Sequence, residues 1–250
     1  MRDQNLNENK KILIIAHRGA SKLAPENTLK AFQTAIDLGA DYIEFDVRKS
    51  KDGEIVIMHD RSVFRTTHKL GWINRMTLEE IKSLDAGEGE EVPTLKELIK
   101  NTKGKIKYMC EIKTYGIIEK VIRIFDDFKL QDDTILISFK HTELVKVQNL
   151  NLNLRTGAIL PSGIGWLTNW FLKKKSILSI NENIFYSINP YYKLLNQNYV
   201  NIVHKKGLKI FPWTINSNRK MKKLFKMNID GILTNDILKA KKSLESYQEE

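Results

Sequence analysis

The feature that most limits the fold of this chain is a regular alternation of short apolar runs with longer amphipathic stretches. From Ile12 onward, runs of strand length are separated by segments whose apolar residues recur every three or four positions. This alternation is typical of βα units around a parallel sheet, and a closed barrel of that kind needs eight strands. We therefore predict an α/β fold, a (β/α)8 barrel, with strands at 12–16, 41–47, 106–112, 134–138, 154–159, 184–188, 208–213 and 230–233.

The chain has 250 residues, a length that such a barrel commonly occupies as one unit. We expect a polar N-terminal tail over 1–10 and a single barrel domain over 11–250. The alternation breaks once, after His59, which indicates an insertion of about 60–93 at the barrel mouth. Within it and just after it, Thr77–Glu80 and Thr94–Glu97 have capping-box spacing, which predicts helices that begin near Leu78 and Leu95.

Composition narrows the function classes. The net charge is +11, which suits an anionic partner, but the lysines are scattered and no nucleic-acid-binding module is recognisable. The single cysteine, Cys110, excludes an intramolecular disulfide and is expected to be a core residue. The first eleven residues contain no apolar signal-peptide core, and no run of about 18 apolar residues occurs, so a soluble, cytoplasmic protein is expected.

Three acidic residues follow the pattern of a site. In DYIEFDV, Glu44 and Asp46 alternate with apolar residues, so a strand there directs both carboxylates to one face. A solvated edge strand would explain that pair taken alone. Glu111 ends another predicted strand, two residues before Lys113. Three oxygen ligands suit Mg²⁺ or Ca²⁺ better than Zn²⁺, because Zn²⁺ prefers histidine and cysteine.

Two histidines stand directly after apolar, strand-like runs. His17 follows residues 12–16 and precedes Arg18, and His59 follows residues 55–58. A lone histidine of this kind is usually structural. A pair near carboxylates and an arginine indicates one proton acceptor and one proton donor, because imidazole titrates near neutral pH.

Nine blocks, in this order along nearly the whole chain, give it a resemblance to the glycerophosphodiester phosphodiesterase family. They are HRG (17–19), PENT (25–28), GADYIEFDV (39–47), KDG with IVIMHD (51–60), LDAG (84–87), PTLKEL (93–98), EIK (111–113), PWTIN (212–216) and DGILTND (230–236). A single block would be weak, but nine in order are specific.

The resemblance implies a (β/α)8 barrel that uses a divalent cation, Mg²⁺ or Ca²⁺, to hydrolyse a small glycerophosphodiester to sn-glycerol 3-phosphate and an alcohol. It also implies site residues, which by role are as follows: Glu44, Asp46 and Glu111 on the metal; Arg18 and Lys113 on phosphate oxygens; His17 and His59 as acid and base; Trp213 in the substrate pocket.

The mechanism implied by the resemblance has two steps. The glycerol 2-hydroxyl attacks phosphorus while one histidine removes its proton and the other protonates the leaving alcohol. Water then opens the cyclic phosphate with the roles exchanged. Two positions depart from the family pattern: Asn235 stands where an aspartate is usual, and Pro212 where an apolar residue is common.

Two other functions compete with the leading one. One is a membrane-associated, phospholipase-D-like enzyme that acts on lysophospholipids. The stretch 160–176 combines two tryptophans with three lysines, a composition typical of interfacial anchors, although we favour an ordinary barrel helix there. The other is a non-catalytic barrel that binds a phosphorylated ligand. The intact set of polar positions favours the enzyme.

Overall fold

The structure is a computed structural model that describes residues 11–150, 153–160 and 180–249. The strands in these ranges are β1 (Leu13–His17), β2 (Tyr42–Lys49), β3 (Ile55–Ile57), β4 (Lys107–Ile112), β5 (Thr134–Ser138), β6 (Arg155–Leu160), β7 (Ser187–Pro190), β8 (Lys209–Ile210) and β9 (Gly231–Thr234). The α-helices are α1 (Leu29–Asp37), α2 (Phe64–Thr67), α3 (Leu78–Lys82), α4 (Leu95–Thr102), α5 (Ile118–Asp127), α6 (His141–Asn149), α7 (Gln197–Lys205), α8 (Asn218–Phe225) and α9 (Ile237–Gln248). Two short 3₁₀ turns cover Ile73–Arg75 and Tyr192–Leu194.

The described strands form the predicted parallel barrel. Their order in the sheet is β8-β7-β6-β5-β4-β2-β1-β9, with β3 antiparallel to the outer part of β2. Backbone bonds link the chain at and after β8 to β9: the Asp230 N–H donates to the Ile210 carbonyl at 3.2 Å, the Leu233 N–H donates to the Pro212 carbonyl at 3.0 Å, and the Ile215 N–H donates to the Leu233 carbonyl at 2.9 Å. The (β/α)8 prediction is confirmed.

The strand bounds differ from prediction most at β7 and β8. β7 was expected over 184–188 and covers Ser187–Pro190, and β8 was expected over 208–213 and covers only Lys209–Ile210. Pro212 has no N–H, so it cannot donate to the β7 ladder, and regular pairing ends before it. The chain nevertheless stays beside β7, because the Trp213 N–H donates to the Pro190 carbonyl at 3.1 Å.

Two apolar layers stabilise the barrel. Inside it, a small cluster is built from inward residues such as Ile15, Met109 and Phe211. Outside it, a larger cluster packs strand residues such as Phe45 against the helices, and the predicted core residue Cys110 is buried in it. Inward side chains at the other end of the strands are therefore available for polar chemistry, as is usual at the C-terminal face of such barrels.

The segment between β3 and α4 has its own apolar cluster, which includes Val63, Ile73 and Ile81. Both predicted capping boxes are present, with Thr77 before α3 and Thr94 before α4. Arg65 of this segment pairs with Glu26, which belongs to the loop after β1. The segment therefore contacts the C-terminal side of the barrel.

Two expectations concerned membranes. Across the ranges that the structure describes, no helix has both the length and the apolar character that a membrane span requires. The stretch 160–176, apart from Leu160, lies outside the described residues.

Candidate active site

The register of three neighbouring strands brings the predicted acidic residues together. Glu44 lies beside His17 of β1, and Asp46 lies beside Glu111 of β4. Strand alternation turns these side chains into the barrel and the intervening Phe45 outward. Glu44, Asp46 and Glu111 are buried, and each offers one carboxylate oxygen within 4.8 Å of the others.

Two cationic side chains contact this cluster. Lys113 Nζ lies 2.8 Å from Glu111 Oε1 and 3.1 Å from Asp46 Oδ1. Arg18 Nε lies 3.5 Å from Asp46 Oδ2, and the Arg18 backbone N–H donates to Glu44 Oε2 at 3.0 Å. Asp46 Oδ2 also accepts a bond of 2.9 Å from the Asn27 amide. Every acidic residue of the cluster therefore has a positively polarised neighbour.

The local chain path explains how Arg18 reaches the cluster. β1 ends at His17, and the next two residues turn through positive φ, 58° at Arg18 and 78° at Gly19. A Cβ on Gly19 would lie 2.7 Å from the Ala31 carbonyl carbon, so only glycine fits there. The HRG block thus combines a strand end, a turn through positive φ and a close approach to α1.

The charges of the cluster are not balanced. Burial and then repulsion from Asp46 raise the pKa of Glu111 to about 7, and the same causes raise the pKa of Glu44 well above its usual range. Burial also acts on Asp46, but Lys113 and Arg18 outweigh it and hold the pKa of that carboxyl well below its usual range. A buried, all-oxygen set with excess negative charge is the donor chemistry that Mg²⁺ and Ca²⁺ prefer.

His17 is the last residue of β1 and has a neutral partner. Its Nδ1 is 2.7 Å from the side-chain amide oxygen Oδ1 of Asn235, the residue directly after β9. When Nδ1–H donates to that oxygen, Nε2 is left as a proton acceptor. Burial and the Arg18 charge lower the pKa of His17 to about 4, so the ring is neutral at neutral pH.

His59 follows β3 and has an anionic partner. Its Nδ1 is 2.7 Å from Asp60 Oδ1, and Asp60 in turn pairs with Arg65. Arg48 Nε donates to the His59 backbone carbonyl at 3.0 Å. Burial lowers the pKa of His59, while the nearby carboxylates of Asp46 and Asp60 oppose that shift.

Trp213 lies on the opposite side of the mouth, among aromatic rings. Its ring centroid is 5.7 Å from that of Phe139 and 5.5 Å from that of Tyr191. The indole N–H donates to the Asn189 carbonyl at 2.8 Å. The side chain can therefore offer a substrate an apolar ring face, but not its N–H.

Sequence reasoning missed several partners of these residues. Asn27 and Asp60 stand inside motif blocks but received no role. The Asn27 contact with Asp46 of β2 spans 19 positions and has no local signal, whereas the Asp60 contact with its neighbour His59 was open to sequence reasoning. Asn235 was noted only as a departure from the family pattern. Two of the three other histidines have structural partners: His141 faces the Ile159 carbonyl and His204 faces Asp230.

The fold and the position of the site define a class: α/β barrels with a polar cluster at the C-terminal edge of the strands. Residues 17–239 match the sequence model of the glycerophosphoryl diester phosphodiesterase family. The chain belongs to this family, which makes it a phosphoric diester hydrolase. The class from the fold and the family from the sequence agree over nearly the whole chain.

Individual relatives support the same assignment. A glycerophosphodiester phosphodiesterase of Caldanaerobacter subterraneus is 37% identical over 239 residues, covering 90% of this chain and 95% of the relative. A solved Oleispira antarctica phosphodiesterase, in complex with its product sn-glycerol-3-phosphate, is 26% identical with a TM-score of 0.81, covering 93% and 96% of the two chains. The Thermotoga maritima glycerophosphodiester phosphodiesterase is 28% identical with a TM-score of 0.77, covering 91% and 96%.

Proposed function

We propose that this chain hydrolyses small glycerophosphodiesters to sn-glycerol 3-phosphate and an alcohol, with one divalent cation and two catalytic histidines. The observation that carries the proposal is the convergence of three buried carboxylates within 4.8 Å of one another, beside Lys113 and Arg18. The relatives' names and the product bound by the Oleispira enzyme support the substrate class.

Glu44, Asp46 and Glu111 would hold the cation, either Mg²⁺ or Ca²⁺. A bound cation would stabilise negative charge on a non-bridging phosphate oxygen. The raised pKa values of Glu44 and Glu111 support this assignment, because a divalent cation replaces the protons that these crowded carboxyls otherwise retain.

Arg18 and Lys113 would bind the other phosphate oxygens. Both cations are largely enclosed, with side chains 18% and 11% exposed, and both already lie beside the cluster. Charge-assisted bonds from enclosed cations are strong, and they strengthen as charge develops on the phosphoryl oxygens. These two side chains would therefore position the substrate and stabilise the transition state.

The two histidines would divide the proton transfers by their partners. His17 is neutral and its Nε2 is free to accept, so it would remove the proton from the attacking glycerol hydroxyl. His59 is paired with a carboxylate that stabilises imidazolium, so it would protonate the leaving alcohol. The roles would reverse when water opens the cyclic phosphate.

Two other features around the barrel mouth would select small substrates. Trp213, with Phe139 and Tyr191, would pack against the glycerol or head group. The segment 60–93, which contacts the C-terminal side through Arg65 and Glu26, would narrow access to the mouth. Both features favour a deacylated head group over an intact lipid.

The test is turnover of purified protein after removal of metal and after addition of Mg²⁺ or Ca²⁺. The substrates are glycerophosphoethanolamine, glycerophosphoglycerol and lysophosphatidylcholine. We expect chelation to abolish turnover of the first two and one of the cations to restore it. Asp46→Asn should weaken metal binding measured by calorimetry, while Asp127→Asn, on the exposed side of α5, should not. Full activity after exhaustive chelation, or turnover of the lysolipid alone, would contradict the proposal.

A further inference from the structure

A cavity of about 380 Å³ opens beside the acidic cluster and is lined by cations. Six of its eleven lining residues are lysine or arginine, and none is aspartate or glutamate. The six cations are Arg48, Lys49, Arg61, Arg75, Lys113 and Lys140. A cleft lined by one sign of charge raises the local concentration of ligands of the opposite sign.

Most of these cations have no carboxylate partner among the described residues. In the parts of the chain that the structure describes, no carboxylate oxygen lies within ion-pair distance of Lys49, Arg61, Arg75 or Lys140. Lys140 lies over the Tyr115 ring, 4.3 Å from its centroid. Arg65, a neighbour in sequence to the cavity residues, differs, because Glu26 and Asp60 neutralise it. Apart from Lys113, which pairs with Asp46 and Glu111, the cavity cations are thus not neutralised by described carboxylates.

The cavity joins the site on the side of His59. Lys113 lines the cavity and also lies 3.1 Å from Asp46. Arg48 lines it and donates to the His59 carbonyl at 3.0 Å. In the proposed function, on which this step rests, His59 protonates the leaving alcohol, so that alcohol is the part of the substrate nearest the cavity.

We infer that the preferred leaving alcohol carries a further phosphate group and that this cavity binds it. Arginine forks bind phosphate oxygens in pairs, and the exposed Trp72 and Tyr115 rings can pack against the carbon skeleton between the two phosphates. A choline or ethanolamine group would instead bring a positive charge among unpaired cations. The substrate class is therefore an anionic glycerophosphodiester.

The experiment compares initial kcat/KM on matched substrates at low ionic strength. Glycerophosphoglycerol has a neutral leaving alcohol, and glycerophosphocholine has a cationic one. Bis(glycerophospho)glycerol adds one phosphodiester to the first, and glycerophosphoglycerol phosphate adds a terminal phosphomonoester. We expect the kcat/KM of either anionic substrate, per scissile bond, to be about 10–10³-fold higher than that of glycerophosphocholine. The ratio of these two kcat/KM values should fall with added salt. The two anionic arms distinguish an internal from a terminal phosphate.

Charge-removing variants locate the effect. Arg61→Gln combined with Arg75→Gln should lower the anionic-to-neutral ratio about tenfold and leave glycerophosphoglycerol turnover unchanged. Arg123→Gln, on the exposed face of α5, removes one like charge away from the cavity and should leave the ratio as it is. Equal kcat/KM values on all substrates, or a ratio that survives the double variant, would overturn the inference. No turnover of any substrate would instead refute the proposed function.

Discussion

His17 and His59 lie on two sides of one acidic cluster, and their Nδ1 atoms have different partners. His17 faces the neutral amide of Asn235, whereas His59 faces the carboxylate of Asp60. Both acceptors fix a tautomer and favour the protonated ring, but only the carboxylate adds a full negative charge that attracts imidazolium. Two imidazoles of the same intrinsic chemistry are thereby suited to different halves of one proton transfer.

The two surroundings also differ in architecture. His17 ends β1, and its partner directly follows β9, which pairs with β1, so both are held by the sheet. His59 begins the segment that follows β3, and its partner is held by Arg65 and, through it, by Glu26. The proposed base is therefore fixed by backbone pairing and the proposed acid by a network of charges, so we expect the position of the second to be more sensitive to substitution and salt.

Removing either ring should have the largest effect. We expect His17→Ala and His59→Ala each to lower kcat by about 10²–10⁴-fold, because each would lose one positioned proton transfer. Metal affinity, measured by calorimetry beside turnover, should change little. The decrease in kcat of the double variant should be much smaller than the product of the two single decreases.

The control for this pair is His68→Asn. His68 is exposed and its backbone is in the left-handed region, a conformation that asparagine tolerates. It should keep full activity. A variant at His17 or His59 that loses metal affinity in step with rate would make that histidine a ligand, and one that keeps full activity would remove it from the mechanism.

Exchanging the neutral partner for an anionic one should remove the contrast between the two sides. Asn235→Asp places a carboxylate beside Nδ1 and should raise the pKa of His17 from about 4 by ~1–2 units. A base acts when neutral, so the acidic limb of kcat/KM against pH should move to higher pH by the same amount. Asn198→Asp, on the exposed side of α7, adds the same charge elsewhere and should leave that limb in place. An unshifted limb in Asn235→Asp would contradict a role for Asn235 in positioning the base.

The reverse exchange should act on the other limb. Asp60→Asn removes the carboxylate that raises the pKa of His59, so the pKa should fall. An acid acts when protonated, and the alkaline limb of the pH profile should therefore move to lower pH by about one unit. Asp132→Asn, in an exposed turn before β5, is the matched control. An alkaline limb that stays in place would mean that Asp60 does not tune His59.

The smallest effect should come from the link between the two sides. Arg65→Gln removes the pairs with Glu26 and Asp60, but the Arg65 side chain is 48% exposed, so solvent screens them. We expect a loss of about 0–1 kcal/mol in the free energy of unfolding, measured with denaturant, and a change in kcat of less than about tenfold. A loss above about 3 kcal/mol would show that this network stabilises the fold itself.

The sequence predicted the barrel and the acidic cluster because both depend on local periodicity. Alternation in DYIEFDV placed Glu44 and Asp46 on one face, and the structure has both carboxylates inside the barrel. Capping boxes likewise predicted the starts of α3 and α4, since a box involves only four consecutive residues. The bounds of β8 were wrong because the ladder there depends on a proline and on a neighbouring strand.

The sequence by itself determined which groups this protein has for chemistry: strand periodicity sets the inward face, and motif spacing places histidines, carboxylates and cations at strand ends. Only the tertiary structure decided which of them meet. Asn235 reaches His17 across 218 positions because the barrel brings β9 beside β1, and Arg65 reaches Glu26 because the segment after β3 contacts the loop after β1. Contacts of this kind have no local signal, because they follow from sheet register and closure, which are properties of the whole chain.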